Sequence, residues 1–143
     1  MKYLKSALSL FIVPISFLLI LSLPVVASDQ QKAIDHTGHI GKKIHESVVQ
    51  GYRLAYHLLD LPGREEKHLI TYIRDEQGHA VTDAKVGYQV AAPDSTKNNV
   101  MTMLMNEAYG ADVNFTAKGT YTIKAKAAFK DEKLLDQFTF IKE

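Results

Sequence analysis

Three methionines lie at every second position of one short segment, VMTMLMN: Met101, Met103 and Met105. In a β-strand, residues two apart share a face, so a strand would place these three thioethers on one side. Thioether sulfur is a soft ligand that selects Cu(I). Because three sulfurs spread along a straight strand are too far apart for one ion, a copper site would use two neighbouring methionines and one group from elsewhere.

The same methionines have a second interpretation, as filler of the hydrophobic core. Alternation puts Thr102, Leu104 and Asn106 on the opposite and wetter side of the strand, so the methionines would face inward. A thioether fills irregular gaps in a core well. Their clustering in one segment favours a metal, because core positions would scatter a few methionines among many other residues. Both interpretations stay open on the sequence.

Histidines could supply nitrogen to such a site. His68 begins a predicted strand, at the rim of the fold, and is the leading partner for a Met2His copper site. His36, His39 and His45 form the pattern H-x2-H-x5-H, which could gather Cu(II), Zn(II) or Ni(II) as a second, weaker site. The alternative is a polar tail that contains histidines, since ordering the segment costs entropy. His57 is predicted to be a half-exposed strand histidine.

The sequence contains no motif for thiol chemistry or for enzymatic catalysis. The chain has no cysteine, which excludes disulfides, thiolate metal sites and thiol catalysis. The sequence has no nucleophile elbow, phosphate-binding loop, metalloprotease helix or dinucleotide fingerprint, and no carboxylate pair suited to acid–base work. The sequence therefore predicts a protein that is not an enzyme.

The first 27 residues are predicted to be a secretory signal peptide. Lys2 and Lys5 give a basic start, the run 7–23 is almost wholly apolar, and small residues precede Ser28. We expect export to the periplasm with cleavage after Ala27. The alternative is an uncleaved anchor, because about 20 apolar residues can span a bilayer; membrane attachment is expected only in that case.

Removing residues 1–27 leaves 116 of the 143 residues, enough for one domain with one core. Of the 17 basic residues, Lys2 and Lys5 leave with the signal, so 15 remain against 16 acidic residues and the net charge becomes −1. No basic cluster is present. Nucleic acid is therefore not an expected partner.

The remaining chain divides into a polar, histidine-containing lead-in, 28–49, and a β-domain, 50–143. The lead-in has no sustained apolar period. The β-domain alternates apolar and polar residues in short runs separated by turn residues. The predicted strands cover 50–60, 67–74, 84–91, 100–106, 108–116, 120–129 and 134–141. Seven short strands predict an all-β fold, an immunoglobulin-like antiparallel β-sandwich.

The block 69–141 resembles the YtkA-like and FixH-like periplasmic domains, which are similar in architecture to CopC copper-resistance proteins. The segment 73–86 is similar to the "D-x-x-G-x-x-V-x-x-A-x-V" hairpin of such domains. The methionine strand is similar to theirs, and 108–113 with 118–123 looks like the family's "G-x-Y…G-x-Y-x-I" ending. The resemblance implies an immunoglobulin-like cell-envelope domain associated with copper or heavy-metal handling, and it does not imply an enzyme.

Two hypotheses follow. In the first, the protein is a periplasmic carrier or sensor that binds copper or another heavy metal. In the second, it is an interaction module that packs against a cell-envelope protein and binds no metal. Replacing the methionines with leucine separates them, because only the first hypothesis then expects a loss of function.

Overall fold

The computed structural model describes residues 38–143, which form nine β-strands. The strands are β1 (Lys42–Val49), β2 (Tyr52–Asp60), β3 (Lys67–Arg74), β4 (Lys85–Ala91), β5 (Lys97–Met101), β6 (Met103–Met105), β7 (Ala108–Val113), β8 (Gly119–Phe129) and β9 (Glu132–Lys142). Within these residues, no helix has the length and hydropathy needed to cross a membrane. The predicted signal peptide or anchor, 1–27, lies outside the described part of the chain.

Two antiparallel sheets pack face to face, with strand orders β1-β2-β3-β7-β6 and β5-β4-β8-β9. The hydrophobic core lies between them. Strand β8 illustrates how the sequence directs this packing: its odd-numbered residues from Tyr121 to Phe129 are buried, whereas Lys124 and Lys126 are exposed. This is the period-two pattern of a strand with one face in a core. The predicted all-β antiparallel sandwich is confirmed.

The sandwich begins earlier than the predicted boundary at Gln50. Strand β1 falls within the predicted lead-in and pairs with β2 from Lys42 to Val49. It forms one edge of the five-stranded sheet, so much of its surface remains in water and its sequence can stay polar. The lead-in is therefore shorter than 28–49.

The methionine segment, predicted as one strand over 100–106, divides between the two sheets. Strand β5 ends at Met101 on the edge of the four-stranded sheet, and β6 begins at Met103 on the edge of the five-stranded sheet. The crossing occurs at Thr102, whose backbone N–H and hydroxyl both donate to the carbonyl of Val86, at 3.0 and 2.9 Å. Asn106, with φ of 54°, then turns the chain into β7.

The outer face of the five-stranded sheet carries a second, smaller apolar cluster, formed by Ala55, Ile70, Tyr72 and Ala108. Residues 38–40 lie against it. The backbone N–H of Ile40 donates to the Tyr72 hydroxyl at 2.9 Å, and the His39 ring stacks on Tyr72 with centroids 3.6 Å apart.

The prediction for His57 is wrong, because this residue is only 2% exposed. Its ring packs edge-on against His39 and Tyr72, at centroid distances of 5.1 and 5.3 Å. Its Nδ1 donates to the Gly41 carbonyl at 3.3 Å. The residues that precede β1 thus bury a side chain that the alternation of β2 would leave half-exposed.

Candidate metal site on the five-stranded sheet

Three neighbouring strands bring a histidine and two methionines onto one face. His68 and Ile70 are two residues apart on β3, so both point outward from the sheet. Ile70 pairs with Gly110 on β7, and Gly110 pairs with Met103 on β6. Met105 follows two residues later and shares that face. The register of β3, β7 and β6 therefore assembles His68, Met103 and Met105 on the outer surface of one sheet.

Gly110 forms the floor between two of these side chains. A Cβ atom at this position would lie 2.2 Å from His68 Nε2 and 2.8 Å from Met105 Cε. Real atoms do not approach so closely, so the imidazole and the thioether methyl both occupy the space that the missing side chain leaves. The absence of a side chain at position 110 thus allows an imidazole nitrogen and a thioether to lie side by side.

The tautomer of a neutral His68 ring is selected by its neighbour. Its Nδ1 lies 2.6 Å from Asp112 Oδ1, and a carboxylate can only accept a hydrogen bond, so the proton belongs on Nδ1. The lone pair then lies on Nε2. This atom is buried and has no hydrogen-bond partner among the described residues. A carboxylate that orients a histidine in this way is the usual outer partner of a metal-binding imidazole.

Asp112 is itself held in the charged form. The hydrogen bond from His68 lowers the pKa of this carboxyl group, and the charge of Arg64 lowers it further, against the opposing effect of burial. Arg64 Nη1 lies 3.0 Å from Asp112 Oδ2. The carboxylate is thus available to His68 as an acceptor at neutral pH.

All three methionines of the segment are exposed, which makes the core-filler interpretation wrong. Their relative exposures are 70% for Met101, 74% for Met103 and 38% for Met105. Met101 lies apart from the other two, on the outer face of the four-stranded sheet, with its sulfur 3.0 Å from the position that a Cβ of Gly87 would take. The prediction that all three methionines lie on one face of a single strand is wrong, because the chain passes from one sheet to the other at Thr102.

The lead-in histidines do not form one site in the described part of the chain. His36 lies outside the described residues. His39 lies on Tyr72 at the outer face of the five-stranded sheet, whereas His45 is on the edge strand β1 and stacks on the core residue Phe138 at 4.4 Å. Strand pairing of β1 carries His45 away from the segment that contains His39. No group of three or more His, Asp or Glu side chains within residues 38–143 is arranged to hold a metal ion.

A cleft of about 420 Å³ borders the methionine side of the site. It runs between residues 38–40 and the turn after β6. Its lining includes His39, Ile70, Tyr72 and Met105. Met105 thus forms part of the wall of a cleft whose lining also includes Arg74 and Glu107.

A further polar cluster lies between the edge strands β1 and β9. The Ser47 hydroxyl donates to Asp136, and His45 Nε2 lies 3.9 Å from the same carboxylate. In a Ser-His-Asp triad the serine hydroxyl donates its hydrogen bond to the imidazole that accepts its proton. Here the serine bonds to the carboxylate instead, so the cluster joins β1 to β9 and lacks the geometry of a catalytic triad.

The sequence predicts His68 and the methionines as candidates but does not point to Gly110 or Asp112. The side chain of Asp112 is 38% exposed, and nothing in the local sequence distinguishes it from an ordinary surface carboxylate. Its role depends on lying directly opposite His68 in the β3–β7 register. This role of Asp112 can be recognised only when the pairing of β3 with β7 is known.

Comparison with known proteins gives the fold and no family. Neither a family model nor a curated protein matches the chain. The chain is similar to the crystal structure of a Br derivative of BhCBM56, a carbohydrate-binding module, at 12% sequence identity over 71% of this chain and all of that one, with a TM-score of 0.52. Likeness at this level of identity concerns the fold alone. The chain is an antiparallel β-sandwich, and its resemblance to YtkA-like and FixH-like domains stays a prediction.

Proposed function

We propose that the protein is an exported, non-catalytic carrier or sensor of a soft metal ion, Cu(I), bound by His68, Met103 and Met105. One observation carries this proposal. The buried Nε2 of His68 has no hydrogen-bond partner among the described residues, and it shares the space over Gly110 with the terminal methyl group of Met105. A buried polar atom left in this way requires an explanation, and a metal ion would supply the missing partner.

The donor set favours Cu(I) over harder ions. One imidazole nitrogen and two thioether sulfurs are neutral ligands, and soft sulfur donors select Cu(I). The neighbouring Ile70 and Tyr72 are buried and make the inner side of the site apolar. Such surroundings disfavour a doubly charged ion more than a singly charged one. Asp112 would raise the basicity of the histidine ligand from outside the coordination sphere.

The exposure of the methionines supports transfer of the ion rather than permanent storage. Met103 is 74% exposed, so the site is open on its outer side. A partner protein could approach the ion there and replace one thioether at a time. The predicted signal peptide and the resemblance to envelope domains with copper-handling roles are the grounds for placing this activity in the periplasm.

A Cu(I) titration of methionine variants tests the proposal. The double variant M103L/M105L should lose most of its affinity in competition with a chromophoric Cu(I) chelator, since Leu and Met have similar volumes and the fold is retained. The matched control is M101L, which removes an equally exposed thioether on the other sheet and should bind as tightly as the wild type. Equal affinities in the double variant and the wild type would refute the proposal.

The second hypothesis, an interaction module without a metal, makes the opposite prediction. In that case M103L/M105L loses no metal affinity because there is none to lose. Large apolar side chains are exposed on both sheets, including Leu104 and Leu135, and exposed apolar patches mark interaction surfaces. Absence of Cu(I) binding by the wild-type protein would therefore favour this function.

A further inference from the structure

The outer face of the four-stranded sheet contains a groove of about 750 Å³. Its shape follows from one row of paired residues across the sheet, Met101, Gly87, Lys126 and Leu135. Met101 and Leu135 stand on the two edge strands and are 70% and 62% exposed. Gly87 has no side chain between them. The missing side chain at Gly87 leaves room into which the Met101 thioether extends, with its sulfur 3.0 Å from the position that a Cβ of Gly87 would take.

The next row of the sheet is polar. It consists of Asn99, Gln89, Lys124 and Gln137, in that order across the four strands. The Gln89 amide donates to Asn99 Oδ1 at 3.1 Å, which orients both amides. A side-chain amide both donates and accepts hydrogen bonds, as does a sugar hydroxyl. This row could therefore bond to hydroxyl groups without discriminating strongly among them.

The exposed charge in the groove is positive. Lys85, Lys124 and Lys126 line it. Asp136 also lines it, but its carboxylate accepts a hydrogen bond from Ser47 and is only 11% exposed. The chain as a whole has 17 basic and 16 acidic residues, so this local excess is a property of the groove and not of the composition.

Aromatic rings often hold a neutral ligand in a binding site. Among the residues that the structure describes, this groove exposes no aromatic ring on which a ligand could stack. Tyr88 is the aromatic residue among those that line the groove, and its side chain faces the core, where it is 2% exposed and bonds to Thr71. The groove therefore offers a ligand the charges and hydrogen-bonding groups described above, together with apolar contact at the exposed Met101 and Leu135.

We propose that this groove binds an anionic polysaccharide, a chain of uronic acid residues. The three lysines pair with carboxylates along the polymer, and the amides bond to its hydroxyl groups. Lysine suits this task because its ammonium is a point charge on a flexible stem that can follow carboxylates in varied positions. A peptide fits less well, since its backbone groups pair with a sheet edge and the groove lies on a sheet face.

Affinity electrophoresis of the full-length chain, purified as the cell processes it, tests this site. Polygalacturonate in the gel should retard the protein, the effect should weaken with added salt because exposed charges are screened, and a neutral β-glucan should have little effect. The variant K124Q/K126Q should bind polygalacturonate about tenfold or more weakly, equivalent to 1.4 kcal/mol or more. The control K42Q/K118Q makes the same charge change at exposed lysines outside the groove and should behave as the wild type.

Three results would overturn the proposal: no retardation of the wild type, equal losses in K124Q/K126Q and K42Q/K118Q, or retardation by polyglutamate as strong as that by polygalacturonate. The last result would identify a general polyanion surface. The variant M103L/M105L should retain polysaccharide binding, because its substitutions lie on the other sheet. The groove and the metal site can thus fail or succeed separately.

Discussion

His68 Nδ1 lies 2.6 Å from Asp112 Oδ1, across the pairing of β3 with β7. This hydrogen bond both selects the tautomer with a lone pair on Nε2 and holds the ring over Gly110. Removing the charge of Asp112 should therefore weaken Cu(I) binding without removing a ligand. We expect the D112N variant to bind about 10- to 100-fold more weakly, as for other outer partners of metal-binding histidines. Chelator competition measures the change.

The control for this substitution is D131N, which removes an exposed carboxylate from the turn between β8 and β9. It should leave the Cu(I) affinity unchanged. A D112N protein with wild-type affinity would show that Asp112 does not act through His68.

Asp112 also gives the stability a defined dependence on pH. Because the pKa of its carboxyl group is lowered in the folded protein, the charged form stabilises the fold at pH values above the ordinary value of 3.8. This contribution is lost as the pH falls from 3.8 through the lower pKa of the folded state. The melting temperature of the wild type should therefore exceed that of D112N at neutral pH, and the difference should shrink on acidification. A difference that grows at low pH would contradict the assignment.

Gly110 allows a test of the site that changes no ligand. In G110A the new methyl group must displace His68 or Met105, so we expect the Cu(I) affinity to fall at least about tenfold, a change of 1.4 kcal/mol. G87A is the matched control, since it adds a methyl group beside the Met101 sulfur on the other sheet. It should leave the Cu(I) affinity intact. Equal affinities in G110A and the wild type would mean that the ion does not bind above Gly110.

The buried hydroxyls of Thr71 and Tyr88 join the two sheets through a hydrogen bond of 2.6 Å. Y88F leaves the Thr71 hydroxyl without this partner in the core, and we expect a loss of about 1–3 kcal/mol in the free energy of unfolding. T71V should cost less, because the Tyr88 hydroxyl keeps its hydrogen bond to the Tyr109 carbonyl at 3.2 Å. The double variant should lose less than the sum of the two, because it leaves neither hydroxyl behind. Denaturant titration of the four proteins measures this coupling, and strict additivity would mean that the bond contributes nothing.

The sequence predicts the sandwich well where a strand lies in the middle of a sheet. Strand β3 occupies the predicted range, 67–74, and β4 and β8 differ from the predictions by one residue at their starts. Strands β4 and β8 have one face in the core, so burial imposes a clear alternation of apolar and polar residues. Strand β3 is buried on both faces, and its run of β-branched and aromatic residues predicts it instead. Pattern and structure agree because the same physical requirement produces both.

Edge strands were harder to predict. Strand β1 is polar because water covers much of it, and a polar sequence without a period resembles a lead-in. At Thr102 the alternation of side chains continues while the hydrogen bonds pass from one sheet to the other. Periodicity records which way a side chain points and contains no information about the partner strand. The division of the methionine segment could not be found from it.

The candidate site was difficult to predict for the same reason: side-chain periodicity does not reveal which strands pair. His68 and Met105 lie close together over Gly110, and their use as metal ligands stays a prediction. Met101 was grouped with them by spacing alone, and the change of sheet separates it. Asp112 required knowledge of the strand opposite His68. Contacts between strands distant in the chain are set by the whole fold, and local pattern does not encode them.

The crossing at Thr102 has a mechanical consequence. One continuous run, 97–105, supplies the outermost strand of both layers on the same side of the sandwich. Separation of β5 from its sheet therefore pulls on β6 in the other sheet, because the two strands are joined at Thr102. The two hydrogen bonds from Thr102 to the Val86 carbonyl hold this junction in place. Local unfolding at this edge of one sheet is therefore coupled to local unfolding at the same edge of the other.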